Sequence, residues 1–169
     1  PNAPLPAPVP ADAVEAPAAD TAEGSALLDL LVVYTPEAEA WADANRSGIS
    51  NVISLAVERA NQAFADSEVD LKARVVFAAP VDYAESEDPN EDLYRATFSE
   101  AFDPDGLDPE HALEEIQGWR EDYGADLVVL MTAGDKGAAW LMKNPAGDAR
   151  YGFSVASVQN ADISLVRQL

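Results

Sequence analysis

The sequence predicts an α/β domain built around one mixed β-sheet. Two runs are short, β-branched and almost wholly apolar: LLDLLVVYT from Leu27 and ADLVVLMTA from Ala125. Such runs are typical of central strands that helices cover on both faces. Between them, residues 48–66 carry apolar side chains at the spacing of an amphipathic helix. Strands that alternate with helices along a chain favour a layered domain with a largely parallel sheet.

The first half of the chain contains two further signals. Thr35 and Pro36 predict a helix that begins directly after the first strand, because threonine is a favourable N-cap and proline suits the first helical position. Residues 70–78, DLKARVVFA, alternate between apolar and polar side chains and so predict a strand with one apolar face. The members of that apolar set are Leu71, Ala73, Val75 and Phe77.

The second half predicts shorter elements. A short helix is expected near Glu91 to Phe98, and the pair Asp108-Pro109 predicts the start of another helix that ends at Gly124. Two short strands should follow, at residues 137–143 (GAAWLMK) and 151–158 (YGFSVASV). The residues expected on the buried side of the second helix are Leu113, Ile116, Trp119 or Arg120, and Tyr123.

The two ends of the chain differ from this ordered centre. Residues 1–26 hold six of the 12 prolines and no aromatic residue. Such a segment buries too little apolar surface to offset its ordering entropy, so we expect a disordered linker or pro-segment remnant, followed by one domain at 27–169. The last residues, VQNADISLVRQL, predict the first turns of a helix with Asp162 as its N-cap. An opening of PNAPLPAPVP suggests a chain cut from a longer protein.

The charge balance excludes some classes of partner. The chain carries 31 acidic against 10 basic residues, for a net charge of -21. A surface of that sign repels phosphates, so neither nucleic acid nor an anionic membrane is an expected partner. The sequence has no cysteine, which excludes disulfides and thiolate metal sites within it. It also lacks an apolar run of the roughly 18 residues that span a bilayer.

Candidate catalytic residues are few, and each has a structural explanation. His111 is the only histidine, and one histidine does not make a zinc site. The run DPDGLDPE, residues 103–110, lacks the spacing of a calcium loop and suits turns and helix caps. Asp29 and Asp126 begin strands outside any metal-adhesion motif, and no glycine-rich phosphate loop follows Tyr34. Composition and spacing alone therefore predict an α/β domain without an assigned function.

An ordered set of segments resembles a known family. These are LLDLLVVYTPEAEAW, ISLAVERANQAFADSEVDLKARVVFAAPVDYAES, DPEHALEEIQGWREDYGADLVVLM and GAAWLMK with FSVASVQNA. Together they resemble the N-terminal part of secreted bacterial metzincins of the reprolysin-like type, close to the peptidyl-Asp metallopeptidases. The match spans residues 27–169. It implies a three-layer N-terminal subdomain with a mostly parallel five-stranded sheet, an antiparallel edge strand and long backing helices.

The resemblance also implies a chemistry that this sequence does not itself contain. Metzincins bind zinc through H-E-x-x-H-x-x-G-x-x-H, whose glutamate acts as general base on a zinc-bound water. Residues 160–169, NADISLVRQL, match the lead-in to that helix, and none of the motif is present. The expectation is therefore zinc in the complete enzyme, no zinc on this chain alone, and no catalytic or metal-binding residue among residues 1–169.

What the resemblance does transfer is the antiparallel edge strand, which in such enzymes binds the peptide substrate as an added strand. By order this strand is 137–143, and the substrate-binding prediction rests on the backbone of Gly137, Ala138, Ala139, Trp140 and Leu141. The side chains of Trp140 and Leu141 are equally explained as packing residues. The family's cysteine near this strand is missing, which is a departure from the pattern.

Three interpretations follow from the sequence. In the first, the chain is part of a secreted zinc metalloendopeptidase, found outside the cell or in the periplasm. In the second, it is an inactive short homologue that binds peptides. In the third, it is an unrelated doubly wound binding domain. Because the active-site helix and lower subdomain would normally cover one sheet face, the first interpretation also predicts self-association through exposed core.

Overall fold

The computed structural model describes residues 25–99, 113–141 and 147–161. This part of the chain contains four α-helices and five β-strands. In chain order they are β1 (Ala26–Tyr34), α1 (Pro36–Arg46), α2 (Ile49–Asp66), β2 (Leu71–Pro80), α3 (Pro89–Thr97), α4 (Glu114–Tyr123), β3 (Leu127–Thr132), β4 (Ala138–Ala139) and β5 (Phe153–Ser157). Short 3-10 turns precede and follow β5, at Ala149–Tyr151 and Val158–Asn160.

The five strands form one sheet in the order β2-β1-β3-β5-β4. Neighbours β2, β1, β3 and β5 pair in parallel, whereas β4 pairs antiparallel with β5 at the sheet edge. The apolar runs that predicted β1 and β3 form adjacent central strands, buried over most of their length. The prediction of a mostly parallel five-stranded sheet with an antiparallel edge strand is confirmed.

Helices cover both faces of this sheet. Successive side chains of β1 point to opposite faces, so this strand contributes to the core on each side. Leu30 and Val32 join a core cluster with apolar residues of α1 and α2. Leu31 and Val33 join a second cluster with residues of α3 and α4. We call these the α1–α2 layer and the α3–α4 layer. Among the described helices, none is long and apolar enough to cross a membrane.

The helix signals are confirmed at three places, corrected at one and untested at one. Thr35 caps α1, and its Oγ1 accepts a hydrogen bond from the Ala38 N–H at 3.0 Å. Gly124 ends α4 in the left-handed conformation, at φ 62°. The helix predicted at 48–66 is α2. The helix predicted near 91–98 starts earlier, at Pro89, because Asp88 provides the N-cap. The predicted start at Asp108-Pro109 lies outside the described residues.

The predicted buried side of α4 is wrong at its C-terminal end. Leu113 and Ile116 are buried, as expected. Tyr123, however, is 46% exposed. Its ring stacks on Phe77 with the centroids 4.1 Å apart, so one ring face packs while the other meets solvent.

Strand β2 departs from the simple alternation that its sequence suggests. Leu30 pairs with Val75, but the next residue, Leu31, pairs with Phe77, so Val76 is the extra residue of a β-bulge. Ala73 and Val75 therefore pack in the α1–α2 layer, whereas Phe77 packs in the α3–α4 layer. The expectation that all four alternating residues share one face fails at Phe77.

Candidate functional site

The antiparallel edge strand is shorter than the sequence predicts. Among the described residues of this segment, Ala138 and Ala139 alone pair with β5, opposite Val155 and Ser154 respectively. Gly137 precedes the strand, Trp140 and Leu141 follow it, and residues 142–146 lie outside the described part of the chain. Because β4 is the last strand of the sheet, β5 covers one side of its backbone and the opposite side is the sheet edge.

Trp140 holds the end of β4 against the helices. Its ring makes edge contacts with Tyr94, Phe98 and Tyr151, at centroid distances of 5.1, 5.7 and 5.3 Å. Its indole N–H donates to the Oγ1 of Thr97 at 2.8 Å. That buried hydroxyl in turn donates to the Leu93 carbonyl at 2.7 Å. We call Tyr94, Phe98, Trp140 and Tyr151 the aromatic cluster, and it fixes where the strand leaves the sheet.

The sequence left the roles of the Trp140 and Leu141 side chains undecided, and the structure places the two differently. Trp140 and Ala138 pack against the α3–α4 layer. Leu141 is 80% exposed, and Ala139 is exposed as well. The packing explanation therefore accounts for the side chain of Trp140 but not for that of Leu141.

A carboxylate that the sequence does not single out joins the carboxyl ends of β1 and β3. The Thr35 hydroxyl and the Ala133 N–H both donate to Oε1 of Glu85, the second at 2.7 Å. The side chain of Gln159 donates to the Ala133 carbonyl at 2.6 Å. In open α/β sheets the carboxyl ends of adjacent strands are a common place for ligands. Here the protein's own side chains occupy this position, and Glu85 acts as a structural link.

Tyr34, at the end of β1, is not a general base at neutral pH. Its side chain is buried, and the pKa of the phenol is raised to about 12, first by desolvation and then by the charges of Glu39 and Asp43. The hydroxyl therefore stays protonated and neutral.

Asp29, which lies within β1, and Asp126, which directly precedes β3, both have structural partners. The Asp29 N–H donates to Oδ2 of Asp126 and the Asp126 N–H donates to the Asp29 carbonyl, each at 2.8 Å. Arg74 pairs with Asp29 at 2.5 Å, and this hydrogen bond lowers the pKa of the Asp29 carboxyl. These contacts tie β1 to the start of β3, at the opposite end of the strands from Glu85.

Metal-ligating side chains are not gathered in the described parts of the chain. Across residues 25–99, 113–141 and 147–161, no three His, Cys, Asp or Glu residues are placed to hold a metal ion. His111 and the acidic run at 103–110 both lie outside those ranges. The donor groups available here therefore do not fit a zinc centre.

Comparisons with known proteins give a sequence relative and similar solved structures. The chain matches no family model. It is 34% identical over 104 residues to a peptidyl-Asp metalloendopeptidase of Pseudomonas aeruginosa. The aligned region covers 62% of this chain and 15% of the relative. The chain thus spans a small part of that protein's length. The similarity supports a relationship to metallopeptidases.

The structural likeness concerns the fold alone. A solved structure described as a chaperone–substrate complex superimposes with a TM-score of 0.63 at 16% identity, over 85% of this chain and 25% of the other. The α/β arrangement of the described residues therefore recurs within a longer, distant protein.

Proposed function

We propose that this chain supplies the substrate-binding part of a zinc-dependent metalloendopeptidase of the reprolysin-like metzincin type. One observation carries the proposal: the metallopeptidase-related chain places an antiparallel strand, β4, at the edge of its mostly parallel sheet. In this proposal the chain forms the N-terminal part of a catalytic domain within a longer protein, secreted from the cell or exported to the periplasm.

The binding step uses the backbone of β4. In an antiparallel strand, neighbouring residues direct their N–H and C=O groups alternately toward one side and the other. Groups on the outer side of β4 are placed to pair with an extended peptide, which adds a further strand to the sheet. Exposed side chains at Ala139 and Leu141 would then lie beside the bound peptide and contact its residues.

The hydrolytic step belongs to residues outside the part described here. Zinc bound by a histidine motif would activate water for attack on the peptide bond. Because the donor groups of the described residues do not fit zinc, we assign them no part in that step. Their role in the proposal is to bind the peptide in an extended form and to orient it.

An N-methyl scan of a bound peptide tests this role. The probe is a short extended peptide with one central aspartate, chosen because the relative is a peptidyl-Asp metalloendopeptidase. N-methylation removes one backbone donor at a time. We expect it to weaken binding about three- to tenfold at alternate peptide positions, the value of one hydrogen bond. Binding is measured from NMR shifts of the β4 amides.

Two results would count against edge-strand binding. One is equal sensitivity at all peptide positions. The other is shift changes that map to the opposite edge of the sheet, on β2, while the amides of Ala138 and Ala139 stay unchanged.

A further inference from the structure

The sheet has two edges, and they differ in how their backbone groups are satisfied. Among the strands of residues 25–99, 113–141 and 147–161, one edge is β4 and the other is β2, which pairs with β1 on one side only. An edge strand presents unpaired N–H and C=O groups that attract another chain. If one edge binds a peptide, pairing of the backbone groups on the other edge prevents unwanted strand addition there.

A single side chain pairs with the backbone of β2 at Ala73, near the start of the strand. The Ala73 N–H donates to Oδ1 of Asn61 at 2.7 Å, and Nδ2 of Asn61 donates to the Ala73 carbonyl at 2.9 Å. Both backbone groups of Ala73 are therefore directed away from β1 and paired with one amide. That amide takes the place that a neighbouring strand would occupy.

The position of Asn61 supports a dedicated role. It lies inside α2, between Ala60, which is buried, and Gln62, which is exposed. Asparagine is a poor residue for a helix interior, because its side chain competes for backbone hydrogen bonds. Here the side chain instead bonds to β2. The helix thus contains an unfavourable residue whose amide pairs with the N–H and C=O of Ala73.

Three further features of β2 oppose pairing with another chain. Lys72 places a positive charge next to Ala73, the bulge at Val76 interrupts the strand, and Pro80 at its end lacks an N–H. Charges, bulges and prolines are the usual means by which edge strands avoid aggregation.

We propose that Asn61 is an edge-blocking residue that prevents a second copy of this chain from adding to β2, and so confines strand addition to β4. The blocking role of Asn61 follows from its two hydrogen bonds to Ala73. The confinement of strand addition to β4 rests on the proposed function, which assigns peptide binding to that strand.

Substitution of Asn61 tests the block. Asn61→Leu removes both hydrogen bonds, and Gln62→Leu is the matched control, because it adds the same apolar side chain to the exposed neighbouring position. Amide exchange followed by NMR reports on the Ala73 N–H, and sedimentation velocity at high salt, which screens the like charges, reports on association. In the wild type we expect Ala73 to exchange as slowly as the central ladder amides.

In Asn61→Leu we expect exchange at Ala73 to rise about tenfold in dilute solution. The weight-average mass should rise with protein concentration, above that of the wild type and of Gln62→Leu. Asn61→Ala, a smaller change, should show the same exchange effect if the leucine variant does not fold. Unprotected Ala73 in the wild type would overturn the proposal, and so would faster exchange without added association. Neither readout involves a peptide, so this test and that of the proposed function fail separately.

Discussion

Replacing Trp140 by alanine is expected to lower the free energy of unfolding by about 3 kcal/mol and to abolish peptide binding at β4. Large-to-small changes at aromatic core residues cost about 3–5 kcal/mol when the ring is fully buried, and this ring is half-buried. Its loss removes three ring contacts and leaves the Thr97 hydroxyl without the indole donor. The two paired residues of β4 would then lose the group that fixes their end.

Two companion variants separate stability from binding. Trp140→Phe keeps a ring in the aromatic cluster and removes the hydrogen bond to Thr97, so we expect a loss of about 1 kcal/mol. Trp41→Ala removes a half-buried tryptophan from the α1–α2 layer, away from β4. It should lower stability while leaving peptide affinity unchanged. Urea unfolding and NMR titration give both quantities. Equal affinity in Trp140→Ala and wild type would show that the cluster does not position the strand.

Replacing Gly152 by alanine is expected to destabilise the fold by about 2 kcal/mol. A Cβ at this position would lie 2.9 Å from the Asp126 carbonyl oxygen and 2.9 Å from Nη2 of Arg120. The carbonyl is backbone and is held in place, because the Asp126 N–H is bonded to β1. The guanidinium is held as well, since it donates to the Asp126 and Ala149 carbonyls at 2.8 and 2.6 Å. Neither group can move without losing hydrogen bonds.

A second glycine provides the matched control. Gly118 lies inside α4, and a Cβ there would meet nothing within 4 Å. Alanine is the better helix former by about 0.8–1 kcal/mol, so Gly118→Ala should stabilise the protein. Opposite signs for the two glycine-to-alanine changes in urea unfolding are the expected outcome. A neutral Gly152→Ala would mean that the contact between α4 and the start of β5 is loose.

The sequence predicts the parts of this fold that depend on local pattern. Unbroken apolar runs identify β1 and β3, because central parallel strands are buried on both faces. The pair Thr35-Pro36 identifies the start of α1, because capping is a local interaction. The family resemblance adds the antiparallel edge strand, which periodicity alone does not distinguish from a parallel one.

Features that depend on contacts between distant segments are the ones that sequence reasoning misses. The bulge at Val76 depends on the register of β2 against β1, and it moves Phe77 to the opposite layer. Glu85 links Thr35 and Ala133, each of which lies about 50 positions from it in the sequence. In the sequence Asn61 is one polar position of a helix, and only the structure gives its hydrogen bonds to Ala73. No short-range pattern encodes these contacts.

The measurement that tests the central proposal most directly is metal content and casein cleavage by a longer protein that contains these residues. We expect about one zinc per chain, as a catalytic zinc site with three protein ligands requires, and cleavage that a chelator abolishes. Residues 1–169 alone should hold no stoichiometric zinc. A longer protein that binds no zinc and cleaves nothing would contradict the proposed peptidase function. Peptide binding by such a protein would then favour the alternative, an inactive peptide-binding module.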